Sequence, residues 1–281
     1  MNAVETVIFP VAGLGTRMLP ATKAVPKELL PVYDTPLLQF ALDEALAAGA
    51  RRIVLVSHPS KRAIEEYLAP ADALEEALAA KGKTALLRAV RRSRMPEGVE
   101  VRIVMQPEPL GLGHAVLCGA EAALPGPVGV ILPDDLVLGE PALAEMAAAF
   151  DPATMRSLVA AQEVPREMVS SYGIFDCDEG SEAVVAARGF VEKPEPAEAP
   201  SRLAAVGRYV LDGAVFDVLR RTPKGAGGEI QLTDAIAAMG GIHAFRFSGT
   251  RHDCGSKDGL VEATLAVQAA RRRHHLSVAA E

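Results

Sequence analysis

Short apolar runs rich in β-branched residues alternate with stretches of helical spacing along the first half of the chain. TVIFPVA is followed by PLLQFALDEALAAG, RIVLVS by a helical pattern through IEEYL, and VRIVM by HAVLCGAEAAL ahead of VGVIL. Leu37, Leu38, Ala41, Leu42, Ala45 and Leu46 recur at helical spacing, and Gly49 sits where that helix should stop. The alternation predicts an α/β fold, doubly wound around a mostly parallel mixed sheet. From about Ser157, SLVAAQEV, YGIFDC, AARGFVEK and RLAAVGRYVL predict further strands, with helices near 229–239 and 257–273. We read these as a continuation of the same sheet, so that 1–281 forms one domain with a first part of about 1–150 and a second of about 151–281. Ligands of such sheets collect beyond the carboxyl ends of the strands, which directs attention to the residues after VIFPVA and VIL.

Composition narrows the class. With 281 residues, 49% of them hydrophobic and 23% charged, the chain can bury a sizeable core. A formal net charge of -7 argues against a general nucleic-acid or anionic-membrane binder, so any cationic site must be local. Cys118, Cys177 and Cys254 are scattered without a CxxC pair, which supports neither a disulfide framework nor a zinc site. The opening MNAVETVIFPVAG carries Glu5 and no basic region, unlike a secretory signal, and no apolar run reaches the length of a membrane span. A cytoplasmic protein without nucleic-acid or membrane partners is expected. Residues 81–98 hold six basic residues and read as a solvated helix or a surface insertion.

Directly behind the first strand comes FPVAGLGTRMLPATKAVPKELLP. Gly13 and Gly15 let backbone approach a ligand and turn N–H groups toward phosphate oxygens. A dinucleotide fingerprint would need a third glycine where Met18 stands, and no GK[ST] follows to make a P-loop. What remains is glycine backbone with Arg17, Lys23 and Lys27, on a path restricted by Pro20, Pro26 and Pro31. A planar guanidinium and point-charge ammoniums beside free backbone donors suit a polyphosphate.

The run from Gly13 to Lys23, followed by Pro26-Lys27-Glu28, resembles the signature of the sugar-1-phosphate nucleotidylyltransferases. In detail it is most similar to the bacterial UTP–glucose-1-phosphate uridylyltransferases. GLGHAV, LPDD, YGIFD, FVEKP, VGRYVL, GEIQLTDAI and HDCGSK recur in the expected order, so the resemblance covers most of the chain. It implies a nucleotide-diphospho-sugar transferase fold, with the nucleotide bound by about 1–150 and the sugar by about 151–281. The implied reaction is Mg2+-dependent transfer of a uridylyl group from UTP to glucose 1-phosphate, in a homo-oligomer. A dTTP-dependent thymidylyltransferase, toward which LLPVYDTP leans, and a non-catalytic paralogue stay as alternatives.

The remaining polar clusters take their roles within that resemblance. A carboxylate after VGVIL is well placed to hold Mg2+ against a triphosphate. Neighbouring strand residues face opposite sides, so one direct ligand is expected there. The resemblance makes it Asp134, with Asp135 the weaker candidate, and has Asp253 share the metal. The pair His252 and Cys254 lacks further ligands at usable spacing for zinc. Glu192 can accept hydrogen bonds from vicinal sugar hydroxyls and Lys193 can neutralise a phosphate, provided the strand ends or twists between them, which Pro194 favours. The resemblance lets Gly173 and Gly207 approach the hexose; Glu229 belongs either to the site or to the start of a helix.

On the base side, Gln106 carries both donor and acceptor for the edge of a uracil, and Gly111 offers backbone. With Ala12, Gly13, Gly15 and Thr16 these form the implied nucleotide set, while His114 reads as a helix N-terminal residue. Arg17, Lys27 and Lys193 are the implied catalytic cations. A sugar phosphate is largely dianionic at neutral pH and needs no general base, so catalysis would rest on positioning and charge neutralisation. The RRRHH run at 271–275 is either solvated or joins subunits.

Overall fold

A computed structural model describes residues 4–178 and 180–278. Its strands are β1 (Thr6–Pro10), the short pair β2 (Pro31–Val32) and β3 (Thr35–Pro36), β4 (Arg52–Ser57), β5 (Glu100–Met105), β6 (Val128–Ile131) and β7 (Asp135–Leu138). The second half adds β8 (Ser157–Glu163), β9 (Gly173–Cys177), β10 (Val184–Glu192), β11 (Leu203–Leu211), β12 (Ile242–Arg246) and β13 (Thr250–Asp253). Nine of them form one sheet in the order β5-β4-β1-β6-β11-β8-β12-β10-β9.

β1 pairs in parallel with β4 on one side and β6 on the other, and β4 with β5. The chain therefore moves outward from β1 to β5 and returns to the other side of β1 for β6. That reversal opens a crevice at the carboxyl ends of β1, β4 and β6. Both faces of β1 are covered. Val7 and Phe9 pack with Leu38, Leu42, Ile53 and Leu55, on the face of the helix Leu37–Ala47. Ile8 packs with Val54, Val56, Ala115 and Val116, on the face of the helix Gly111–Cys118. Two buried faces explain why these strands read as continuous apolar runs.

The mixed character begins at β11, which runs antiparallel to both β6 and β8. β12 then lies parallel to β8, and β10 and β9 complete the far edge in antiparallel pairs. The helix expected from 229 begins instead at Leu232. Ile230 and its neighbours bond elsewhere: Ile230 N–H donates to Leu110 O at 2.7 Å, and Gly113 N–H to Ile230 O at 2.9 Å. The basic segment at 81–98 forms the surface helix Thr84–Arg91, tied to the preceding helix Asp72–Ala80 where Arg91 and Arg94 meet Glu75 at 2.7 and 2.5 Å. In the RRRHH run, Arg271 reaches Asp34 at 3.3 Å, and the side chains of His274 and His275 lie outside the described residues. Among the described residues no helix is long and apolar enough to cross a membrane.

A buried ion pair fastens β11 to the first helix. Arg208, only 1% exposed, donates from Nε and Nη2 to the two carboxylate oxygens of Glu44, each at 2.8 Å. Arg208 also donates to Leu132 O and Gly207 O at 3.1 Å, and Glu44 accepts from Leu143 N–H at 2.9 Å. Burial opposes the Arg208 charge, but the Glu44 carboxylate outweighs it and holds the guanidinium above its ordinary pKa. Glu44→Ala should strand that guanidinium and cost about 3–5 kcal/mol in urea unfolding. Removing the carboxylate of the exposed Glu5–Arg51 pair, 3.2 Å apart, should cost less than about 1 kcal/mol.

Candidate active site

The loop after β1 turns sharply as soon as it leaves the sheet. Val11 N–H still bonds to Val56 O at 2.9 Å, and by Gly15 the backbone is left-handed at φ 65°. A side chain at position 15 would meet Lys27 Cβ and Thr22 Cγ2, each at 3.2 Å, so glycine is what lets the loop fold back on itself. Thr22 Oγ1 donates to Gly15 O at 2.8 Å and closes the fold. Short 3-10 turns at Thr16–Met18, Ala21–Lys23 and Lys27–Leu29 carry the cations. Under the last turn, Lys61 donates to both oxygens of the buried Glu28 at 2.8 and 2.9 Å. Burial pushes the Glu28 carboxyl up and the Lys61 ammonium down. This pair anchors the residue next to Lys27 to the segment following β4.

Lys27 itself points the other way, and its Nζ lies 2.5 Å from Asp134 Oδ2. Burial disfavours ionised Asp134, yet the Lys27 charge and hydrogen bond, with the more distant Arg17, keep its pKa below the ordinary value. Asp135 turns inward instead. Its Oδ1 accepts from Arg251 at 2.5 and 2.7 Å, and its Oδ2 accepts Gly207 N–H at 2.7 Å. Burial raises the pKa of Asp135 despite Arg251. The two aspartates thus diverge, one to the crevice and one to the interior.

The second acid arrives on a separate two-stranded sheet. β7 and β13 pair antiparallel with Asp253 opposite Asp135, and Cys254 N–H donates to Asp134 O at 2.8 Å. A Cβ on Gly255 would stand 2.8 Å from Arg17 Nη2, 3.0 Å from Asp253 Oδ1 and 3.1 Å from Asp134 Oδ2, so these three side chains converge on one small volume. Among the described residues no cluster of three or more His, Cys, Asp or Glu could hold a metal. Two carboxylates suit an ion such as magnesium, which keeps several waters and takes phosphate oxygens. Cys254 is buried, and its thiol is pushed up to about 12, first by burial and then by the neighbouring acids, which disfavours a thiolate ligand.

A cleft of about 370 Å3 opens beside this point, lined by Ala12, Gly13, Lys27, Gln106, Gly111, Asp134 and Glu229, with His58, Leu112 and Leu132 among the other walls. Gln106 extends β5, its N–H bonded to Ser57 O at 2.9 Å. Gly111 has φ 92°, and a side chain there would lie 2.7 Å from Glu229 Cβ. Glu229 therefore belongs to the cleft wall and stands outside the helix that follows.

Gly173, Glu192 and Lys193 form a separate group on β9 and β10. Glu192 is paired across the strands with Gly173. β10 ends at Glu192, and Lys193 takes a left-handed φ of 47° while its N–H donates to Tyr172 O at 2.9 Å. The reversal brings Lys193 Nζ to 3.6 Å from Glu192 Oε1, so consecutive residues face the same side. Gly207 is buried in β11, where a Cβ would meet Asp135 Oδ2 and Leu132 Cβ at 2.7 Å. Its lack of a side chain is accounted for by the protein's own packing. Tyr172 links the groups: Arg251 lies 5.4 Å from the centre of its ring and also holds Asp135.

Residues 6–270 match the nucleotidyl transferase family. The chain belongs to this family. It is 43% identical over 271 residues to the UTP–glucose-1-phosphate uridylyltransferase of Bacillus subtilis, covering 94% of this chain and 91% of that one. It is 45% identical over 273 residues to the enzyme of that name from Escherichia coli K12, covering 92% and 89%. A UTP-bound UGPase from Acinetobacter baumannii superposes with a TM-score of 0.87 at 40% identity, over 94% of this chain and 93% of its own. The resemblance and the fold class read from the sequence are both borne out by these relatives.

In this nucleotidyl transferase, several polar groups escaped the sequence reading: His58, the buried Glu28–Lys61 pair, and Arg251 with Tyr172. Glu28 and Arg251 sit within or beside recognised motifs, but no spacing rule ties them to partners 33 and 116 residues away. Since Asp135 is the internal partner of Arg251, Asp135→Ala should cost about 3–5 kcal/mol of stability by urea denaturation.

Proposed function

We propose that the protein transfers a uridylyl group from UTP to glucose 1-phosphate and releases pyrophosphate. The observation that carries this reading is the meeting of Lys27, Asp134, Arg17 and Asp253 at the mouth of a cleft whose wall includes Gln106. The named activities of the relatives, matched over about nine-tenths of the chain, support the choice of nucleotide and sugar.

In the proposed reaction an oxygen of the sugar phosphate attacks the α-phosphorus of UTP in line, and pyrophosphate leaves. The attacking group is largely dianionic at neutral pH, which accounts for a site built without a general base. Asp134 and Asp253 would hold Mg2+, which neutralises phosphate charge when bound. Ala12, Gly13, Gly15 and Thr16 offer the backbone of the loop to the triphosphate. Lys27 and Arg17 supply positive charge to the transferring group, where fixed charges in a cleft act more strongly than in water. Gln106 and Gly111 take the base. Glu192 reads sugar hydroxyls, Lys193 meets the sugar phosphate and Gly173 leaves room beside them, whereas the backbone of Gly207 is already bonded to Asp135 and Leu132, so its expected approach to the hexose finds no support in the geometry. The left-handed turn at Lys193 supports this assignment, because it points both side chains to one side.

Pyrophosphate release with Mg2+ and glucose 1-phosphate, run in parallel with UTP and dTTP, tests the reading. UTP is expected to be preferred. A preference for dTTP would move the protein to thymidylyl transfer, and release with neither would overturn the assignment. Lys27→Ala should lower kcat about 10²–10³-fold with an unchanged circular dichroism spectrum. Near-normal turnover in that variant would remove Lys27 from the mechanism.

A further inference from the structure

Gln106 is only 7% exposed, yet it is part of the cleft wall. Its side-chain amide has two N–H donors and one carbonyl acceptor, and a half-turn of the amide exchanges what it offers a ligand. Which way it faces is decided within the protein. Gly111 O lies 3.3 Å from the amide nitrogen, and a backbone carbonyl can only accept, so nitrogen must face it. The same nitrogen lies 3.1 Å from His114 Nδ1. For the second amide hydrogen to be donated there, Nδ1 must be the bare nitrogen of a neutral imidazole, with its proton on Nε2. On that side Nε2 lies 3.8 Å from Cys118 Sγ, a weak acceptor.

Both amide hydrogens of Gln106 are then committed inside the chain. Among the described residues its oxygen accepts no hydrogen bond, and it is the group left to offer to the cleft. A lone acceptor favours a base whose edge carries an imide N–H, as uracil and thymine do. Cytosine presents a bare ring nitrogen at the same position, and two lone pairs would face each other.

We propose that His114 is a specificity-determining positioning residue: its Nδ1 locks the Gln106 amide so that the cleft presents an acceptor, selecting uracil-type over cytosine-type nucleotides. The role rests on reading the cleft as a pyrimidine nucleotide site. His114 acts through Gln106 and has no part in the transfer step.

Equilibrium binding of UTP and CTP, measured by calorimetry on the whole protein, tests this without relying on turnover. His114→Phe keeps the ring and removes the acceptor, and His114→Ala reports on the same loss if the larger side chain disturbs the helix. In both, the UTP-to-CTP affinity ratio should fall about tenfold, the worth of one hydrogen-bond preference. His114→Asn, which can again offer an acceptor close to the Nδ1 position, should keep the wild-type ratio within about twofold. An unchanged ratio in the Phe and Ala variants, or an equal loss in Asn, would overturn the role of His114 and leave the uridylyl reading standing. A wild-type protein that binds neither nucleotide would overturn both.

Discussion

Three carboxylates, Asp134, Asp135 and Asp253, meet where β6 ends, and the site depends on each being answered by a cation from elsewhere in the chain. Lys27 comes from the first loop to Asp134, Arg251 from β13 to Asp135, and Arg17 to the volume shared by Asp134 and Asp253. Like charges this close repel unless neutralised, so the acids can gather only when the loop after β1 and the β7–β13 sheet are both in place. The same requirement brings charges of both signs to the cleft, where Lys27 and Asp134 line one wall together.

The rigid frame for these charges is β1, buried between two parallel neighbours and covered on both faces. Its reversal point supplies the crevice, and β11 supplies the second wall. Arg208 on β11 reaches back to Glu44 on the first helix and also grips Leu132 O, two residues before Asp134. One guanidinium thereby ties together the two halves of the sheet, the first helix and the segment carrying Asp134, the acid that faces the crevice. Buried ionic groups of this kind are weak sources of net stability, and their contribution here is placement.

Much of this was legible in the sequence because the elements that matter announce themselves locally. Strands buried on both faces read as VIF, IVLV and VGVI, and the crowded loop between Gly13 and Lys27 reads as glycine, cation and proline together. β12 did not announce itself: IHAFR is only five residues long, and its adjacent Ala244 and Phe245 break the strict alternation of a strand. The helix expected near 229 starts only at Leu232, because the backbone of Ile230 is taken by the 110–113 segment and Glu229 O by Gly225 N–H. Pairings such as Glu28 with Lys61 and Asp135 with Arg251 depend on which distant segments the topology brings together, and no local pattern encodes that. The turn at Lys193 was legible only as a geometric requirement, met by a backbone conformation that a lysine adopts rarely.

β12 lies inside the sheet, between β8 and β10, although it follows both of them in sequence, with β11 and two helices in between. A polypeptide emerging from the ribosome therefore has the loop carrying Lys27 and β1, β4, β5 and β6 long before it can close the sheet around them. Asp253 emerges later still. During synthesis the half-formed protein carries Lys27 and Asp134 with an open edge beside β8, and such an edge invites mispairing with other chains until the last strands arrive. The strand that covers this edge and the acid that joins Asp134 and Arg17 are thus made almost together, from residues 242–253.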